Sequence, residues 1–131
     1  MIQSLTLRVL SDRLAICRLP AGATLPGWAL AGEFCSISWT REETSLVCAE
    51  HVAPAGVQAN TGWRALMVVG PLDFSLTGIL AMIAQPLANA QISIFALSTF
   101  DTDYVLVKEL SLPTAIQVLI ESGLRVEHSD T

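Results

Sequence analysis

The feature that most constrains this chain is a stretch without charge, since no Asp, Glu, Lys or Arg occurs from Phe74 through Phe100. A stretch of this length is long enough to cross a membrane as a helix. However, Gln85, Pro86 and Asn89 lie near its centre and it has no basic flank, which is atypical of a membrane span. The pattern therefore favours a buried helix followed by a strand in a soluble domain.

The second half of the chain predicts a regular alternation of strands and helices. Residues 63–70, 91–97, 104–109 and 125–128 have the composition of strands. Apolar residues at helical spacing follow the first strand, with Asp73 or Ser75 available as N-cap, and Ser111 and Gly123 bound a second helix. The order strand, helix, strand, strand, helix, strand is that of the ferredoxin-like fold. We therefore expect an α+β protein with antiparallel sheets and helices on one face.

The first half repeats part of this pattern in a shortened form. Placing residues 34–50 over residues 93–109 needs no gap and aligns Thr40 with Thr99 and Glu50 with Glu109. The segment 20–32, where the copy would carry its first helix, holds two Pro and three Gly, so at most one helical turn is expected there. We predict two tandem ferredoxin-like units, an abbreviated one at residues 1–56 and a complete one at residues 57–131.

A short acidic loop, with Asp101 and Asp103 beside Thr99 and Thr102, joins two predicted strands of the second unit. Taken alone it is an ordinary solvated turn, because Asp and Thr side chains bond to nearby backbone. In a βαββαβ unit this hairpin lies at the same end of the sheet as the turn at 70–78 that enters the first helix. That turn offers backbone N–H groups and a helix dipole to an anion, and the hairpin offers carboxylates to a cation.

Two such walls together suit a zwitterion, such as the carboxylate and ammonium of a free amino acid. The alternative is that Asp73 only caps the helix and Asp103 only turns the hairpin.

The stretch GPLDFSLTGILAMIAQPLANAQISIFALSTFDTDYVLVKE resembles the ACT-domain family, in the branch that includes aspartate kinase regulatory domains and the CASTOR arginine sensors. It is most similar to small bacterial proteins built from two ACT units, and SISWTREETSLVCAE in the first half matches less sharply. The resemblance implies a ferredoxin-like fold without catalytic activity that binds small ligands, usually amino acids, at interfaces between units. Carried over by position, the ligand-binding residues are Asp73, Ser75, Gly78, Ile79, Thr99, Phe100 and Asp103, with Thr44 and Ser45 from a neighbouring unit.

Composition narrows the functional classes further. The 131 residues carry a net charge of −5 without a basic cluster, so no nucleic-acid partner is expected. The three cysteines lie in apolar runs and no Cys or His spacing fits a metal ion, so neither a metal nor a cofactor is predicted. No phosphate loop or activated nucleophile motif occurs, so no enzyme is predicted. The start of the chain lacks the features of a signal peptide, and we expect a cytoplasmic location and no membrane partner.

The predicted partners are a small-molecule ligand, a second copy of the chain in a homodimer, and a protein that the ligand regulates. The alternative function is a ligand-free interaction or scaffold domain of the same fold.

Overall fold

The computed structural model describes residues 5–70, 73 and 76–129. The chain divides into two compact units. We call residues 12–63 the inserted unit, and residues 1–11 with 64–131 the enclosing unit. The boundary predicted between residues 56 and 57 divides the chain differently, and it stays a prediction. The elements in chain order are β1 (Thr6–Val9), β2 (Leu14–Pro20), β3 (Cys35–Trp39), β4 (Glu43–Ala49), β5 (Gln58–Val68), α1 (Ile79–Asn89), β6 (Phe95–Ser98), β7 (Asp103–Lys108), α2 (Leu112–Glu121) and β8 (Arg125–His128).

The enclosing unit has the predicted order of elements, from the end of β5 through α1, β6, β7 and α2 to β8. Across its sheet the strands follow the order β8, β1, β5, β7, β6. β1 pairs antiparallel with β5, where Leu7 lies opposite Val68, and parallel with β8, where Leu7 lies opposite Val126. The α+β ferredoxin-like class is confirmed. The expectation of purely antiparallel sheets is wrong at the β1–β8 pair, because β1 inserts beside the last strand and runs in its direction.

The core of the enclosing unit lies between this sheet and both helices. Alternate residues of a strand share a face, and the buried residues Leu66 and Val68 of β5 belong to the same core as Val105 and Val107 of β7. The helices bury residues at helical spacing against this face. These helical residues are Ile83 and Leu87 of α1 and Leu112, Ala115 and Leu119 of α2.

Of the two predicted boundaries of α2, the stop at Gly123 agrees with the structure, and the capping role of Ser111 does not. Gly123 has φ 98°, and Leu124 N–H donates to the carbonyl of Leu119 at 3.1 Å, so the helix stops at a left-handed glycine as predicted. Ser111 precedes α2, but its side chain makes no capping hydrogen bond, since a 3-10 turn at Glu109–Ser111 runs directly into the helix.

The charge-free stretch contains α1 and β6. Within the described ranges no helix has the length and apolar character needed to cross a membrane.

The inserted unit contains β2, β3, β4 and the first residues of β5, in the order β3, β4, β2, β5. β4 pairs antiparallel with both β2 and β3. Between β2 and β3 the chain forms a single 3-10 turn at Gly27–Leu30, and its Ala29 packs with Leu46 and Cys48 in a small core. The helix that the repeat would place in segment 20–32 is therefore reduced to one turn, as its Gly and Pro content indicates.

The cysteines of the inserted unit behave as buried apolar residues. Cys17 and Cys48 are buried, Cys35 is half-buried opposite Cys48 in the β3–β4 pair, and all three are free thiols. Burial raises the pKa of the Cys48 thiol to about 12, with smaller contributions from Cys17 and Cys35. A thiol held protonated in this way is a poor nucleophile at neutral pH.

The hairpins of the two units repeat one hydrogen-bond pattern. Thr40 N–H donates to the Glu43 carbonyl at 2.8 Å, and Thr99 N–H donates to the Thr102 carbonyl at 2.8 Å. In each loop the threonine hydroxyl accepts the N–H of the residue three positions on, at 3.2 Å from Glu43 and 3.3 Å from Thr102. The gapless alignment of residues 34–50 with 93–109 is therefore confirmed at the level of loop geometry.

The equivalence extends to the carboxylates that follow the hairpins. Glu50 and Glu109 each begin a 3-10 turn, and each forms an ion pair with an arginine. The partner of Glu50 is Arg13 at 3.3 Å, and the partner of Glu109 is Arg64 at 3.5 Å.

Candidate functional site

A cavity of about 320 Å³ lies between the start of α1 and the β6–β7 hairpin of the enclosing unit. We call it the hairpin cavity. One side is lined by Asp73, Leu76, Gly78, Ile79 and Leu80, and the other by all six residues from Ser98 to Asp103. The structure thus brings together six residues predicted for the site, which are Asp73, Gly78, Ile79, Thr99, Phe100 and Asp103. Ser75 lies outside the described residues, and Thr44 and Ser45 lie on β4 of the inserted unit. The binding role of all nine stays a prediction.

The first wall is formed where the chain enters α1. Leu76 N–H donates to the Asp73 carbonyl at 3.0 Å, which closes a turn before the helix. Gly78 is the N-cap, with φ 77° and ψ 1°, and no described side chain caps the helix. The predicted N-cap position of Asp73 is therefore wrong, because the left-handed Gly78 starts the helix five residues later, and the other predicted position, Ser75, lies outside the described residues. A Cβ built on Gly78 would meet nothing within 4 Å, so the backbone is open to close approach here.

This uncapped helix start has a clear electrostatic character. The first N–H groups of an α-helix have no acceptor within the helix, and the helix dipole places partial positive charge at this end. Ile79 and Leu80 belong to this first turn and line the cavity. The wall can therefore bind an anionic group such as a carboxylate through backbone N–H donors.

The second wall is the hairpin. Ser98 and Asp103 face each other at the point where β6 and β7 end their pairing. The Ser98 hydroxyl donates to Oδ1 of Asp103 at 2.5 Å, which fixes the orientation of the carboxylate. The Thr102 side chain is only 8% exposed, and its hydroxyl donates to the Val68 carbonyl at 2.5 Å, tying the loop to β5. Asp103 is thus presented to the cavity by a loop that is anchored to the sheet.

The charged side chains that line the hairpin cavity are all carboxylates. Asp73, Asp101 and Asp103 line it, and its lining contains no Lys, Arg or His. Phe100, which is 80% exposed, adds an aromatic surface at the loop. The arrangement places carboxylates opposite a helix start, and it is complementary to a small molecule that carries both an ammonium and a carboxylate. Within the described part of the chain, no three His, Cys, Asp or Glu side chains are grouped to hold a metal ion.

Sequence reasoning missed two residues that shape this wall. Ser98 falls just beyond the strand predicted at residues 91–97, but its pairing with Asp103 follows once the loop between them is counted as four residues. Thr102 has no local signal, because its hydrogen bond reaches a carbonyl 34 positions earlier in the chain.

Comparison with known proteins gives matches for both halves of the chain. A model of the ACT domain matches residues 58–121, and a model described as an N-terminal domain matches residues 12–55. The cytosolic arginine sensor for mTORC1 subunit 1 of Homo sapiens is 47% identical over 58 residues, which cover 44% of this chain. The match spans only 18% of the length of that sensor.

Solved structures extend the comparison to the whole chain. Protein Atu0741 from Agobacterium tumefaciens is 33% identical with a TM-score of 0.92, over 99% of this chain and 97% of that one. The regulatory subunit of aspartate kinase from Thermus flavus is 16% identical with a TM-score of 0.62, over 92% of this chain and 99% of that subunit. At this identity the second likeness concerns the fold alone.

Proposed function

Since this chain belongs to the ACT-domain family, we propose that it is a regulatory module without catalytic activity that binds a free amino acid in the hairpin cavity. One relative supports the ligand class, because it is named as an arginine sensor.

The observation that carries the proposal is the pairing of the two walls. Asp103, oriented by Ser98, receives the ligand ammonium, and the first-turn N–H groups at Ile79 and Leu80 receive its carboxylate. Gly78 leaves room for that carboxylate to approach the backbone. A cavity of about 320 Å³ lies at the lower end of the size range of small-molecule sites, which suits a ligand as small as an amino acid.

The proposal includes an assembly. The ligand lies at an interface between ACT units, where Thr44 and Ser45 of a neighbouring unit complete its surroundings together with Ser75, which lies outside the described residues. The chain forms a homodimer in the cytoplasm, and ligand binding changes its association with a regulated protein partner. Sedimentation velocity with and without ligand measures whether the chain is a homodimer, and a monomer under both conditions would contradict this.

A second candidate function is a ligand-free interaction or scaffold domain. Leu76 and Phe100 on the rim of the cavity are 51% and 80% exposed, and exposed apolar side chains of this size are typical of protein interfaces. In this case the same surface would bind a protein, and free amino acids would have no effect on it.

Thermal unfolding of the intact chain with each standard amino acid tests the proposal. A ligand at a hundred times its Kd stabilises the folded state by about 2.7 kcal/mol, which is a readily measured rise in Tm. Asp103→Asn should weaken binding by about ten- to a hundredfold, since hydrogen bonds to charged groups contribute about 1.5 to 3 kcal/mol.

The matched control is Asp12→Asn, which removes the same charge from an exposed position of the inserted unit. It should leave the affinity unchanged. If no amino acid raises Tm, and a purified partner protein binds equally well with and without amino acids, the scaffold function replaces this proposal.

A further inference from the structure

The inserted unit has a cavity of its own, separate from the hairpin cavity, and Thr44 is assigned here to this cavity in place of the amino-acid site of a neighbouring unit. It measures about 330 Å³ and is lined by Gly22, Ala23, Leu25, Ile37, Trp39 and Thr44, all of them in this unit. We call it the Trp39 cavity. It lies between residues 22–25, which follow β2, and the β3–β4 hairpin. In the internal repeat this position corresponds to that of the hairpin cavity. Trp39 and Thr44 face each other in the β3–β4 pair as Ser98 and Asp103 do in the β6–β7 pair.

Thr44 points to an occupant for this cavity. The residue is 4% exposed, and no hydrogen bond of its hydroxyl is seen among the described residues. Thr102, the other buried threonine, does have a partner in the Val68 carbonyl. A hydroxyl that finds no partner within the protein needs one from the space that it faces. Since no fully enclosed side-chain N or O atom lacks a partner among the described residues, the Thr44 hydroxyl is reached from the cavity that it lines.

The chemistry of the lining differs from that of the hairpin cavity. The positions of Ser98 and Asp103 are taken by Trp39 and Thr44, and no charged residue lines the Trp39 cavity. Trp39 is 79% exposed, so a broad aromatic face forms one open side, and Leu25 and Ile37 add aliphatic surface. No described side chain of this lining can form an ion pair with an ammonium or a carboxylate. A mostly apolar cavity with one convergent polar group is the usual composition of a site for an uncharged small molecule.

We propose that the Trp39 cavity binds a small uncharged molecule with an apolar body, which packs on Trp39, and one polar group, which hydrogen-bonds to the Thr44 hydroxyl. The protein therefore has a second ligand site of a different class from the first, and the two halves of its internal repeat recognise different ligands.

A pair of matched probes tests this with the intact chain. 2-Naphthol and 2-methylnaphthalene have nearly the same shape, and only the first carries a hydroxyl. Binding is followed by NMR through the indole N–H resonance of Trp39, which is assigned by its loss in Trp39→Phe. Both probes should shift this resonance saturably.

The variants separate the two roles. Thr44→Val should weaken the binding of 2-naphthol by about fivefold to tenfold, which corresponds to the loss of one hydrogen bond. It should leave the affinity for 2-methylnaphthalene unchanged. Thr44→Ser, which keeps the hydroxyl, should retain the preference for 2-naphthol. Trp39→Ala should weaken the binding of both probes, which is followed in this variant through the backbone N–H resonances of Ile37 and Thr44 because the indole is absent. Thr61→Val, at an exposed position of β5 outside the lining, is the control and should affect neither.

Several outcomes would overturn the proposal. One is that neither probe binds saturably. Another is that Thr44→Val lowers the affinity for both probes equally. A third is that the probes shift the resonances of residues 98–103 and not that of Trp39. A Trp39 resonance that moves with protein concentration alone would show that a second copy of the chain covers this surface, and it too would reject a small-molecule site.

Discussion

Thr102→Val is the sharpest test of how the hairpin is held. Valine keeps the shape of threonine but cannot donate the 2.5 Å hydrogen bond to the Val68 carbonyl. Both residues are buried, so water cannot replace the lost donor without opening the structure. Leaving a buried acceptor short of a partner costs about 1 to 3 kcal/mol, and the added methyl group of valine recovers part of this through burial. We expect the free energy of unfolding to fall by about 1 to 2 kcal/mol.

Urea denaturation followed by circular dichroism measures this loss. Tryptophan fluorescence should be recorded in parallel, because Trp28, Trp39 and Trp63 all lie in the inserted unit while Thr102 lies in the enclosing unit. Coincident transitions would justify a single free energy for the whole chain. The control is Thr24→Val, at an exposed position, which should stay within about 0.5 kcal/mol of the natural chain. A loss in Thr102→Val no larger than in this control would refute the anchoring role.

Two further predictions concern the backbone at the site and the buried thiols. Gly78→Ala should destabilise the chain by about 1 kcal/mol because it forces a side chain into φ 77°, whereas Gly27→Ala, with equally open space and no positive φ, should be nearly neutral in the same urea titration. Equal effects of the two substitutions would contradict this account. Cys48 keeps its proton in the folded state up to a pKa of about 12, whereas the unfolded chain loses it near the ordinary value of 9.0. Its contribution to stability is therefore complete below pH 9 and is lost between pH 9 and 12, so the urea midpoint should fall more steeply over this range in the natural chain than in Cys48→Ala; parallel curves would exclude the effect.

The element order of the enclosing unit was predictable because each element carries a local signal. Helical spacing marks α1 and α2, and Gly123 ends α2 through its own backbone preference. The place of β1 was not predictable. Its partners β5 and β8 lie far along the chain, and a strand of four residues contains no information about which edge it will join. β5 also starts earlier than predicted, at Gln58, because pairing with β2 overrides the weak strand preference of Asn60 and Gly62.

The location of the candidate site could be predicted from the sequence, but its hydrogen bonds could not. Topology alone put the acidic hairpin beside the start of α1, and the structure lines one cavity with both. The hydrogen bonds that shape it were not accessible, since the partner of Thr102 depends on how β5 and β7 lie in the sheet. The N-cap was misplaced because Asp is a preferred capping residue, whereas the helix begins at the left-handed Gly78.

The position of β1 has a consequence for synthesis on the ribosome. Arg8 of β1 pairs with Glu127 of β8, 119 positions later, so β1 emerges long before β8 and has to wait for it before its pairing is complete. The inserted unit, whose strands pair within residues 12–63, meets no such delay. During translation we therefore expect residues 12–63 to acquire protease resistance first, while β1 stays unpaired along one edge until β8 has emerged.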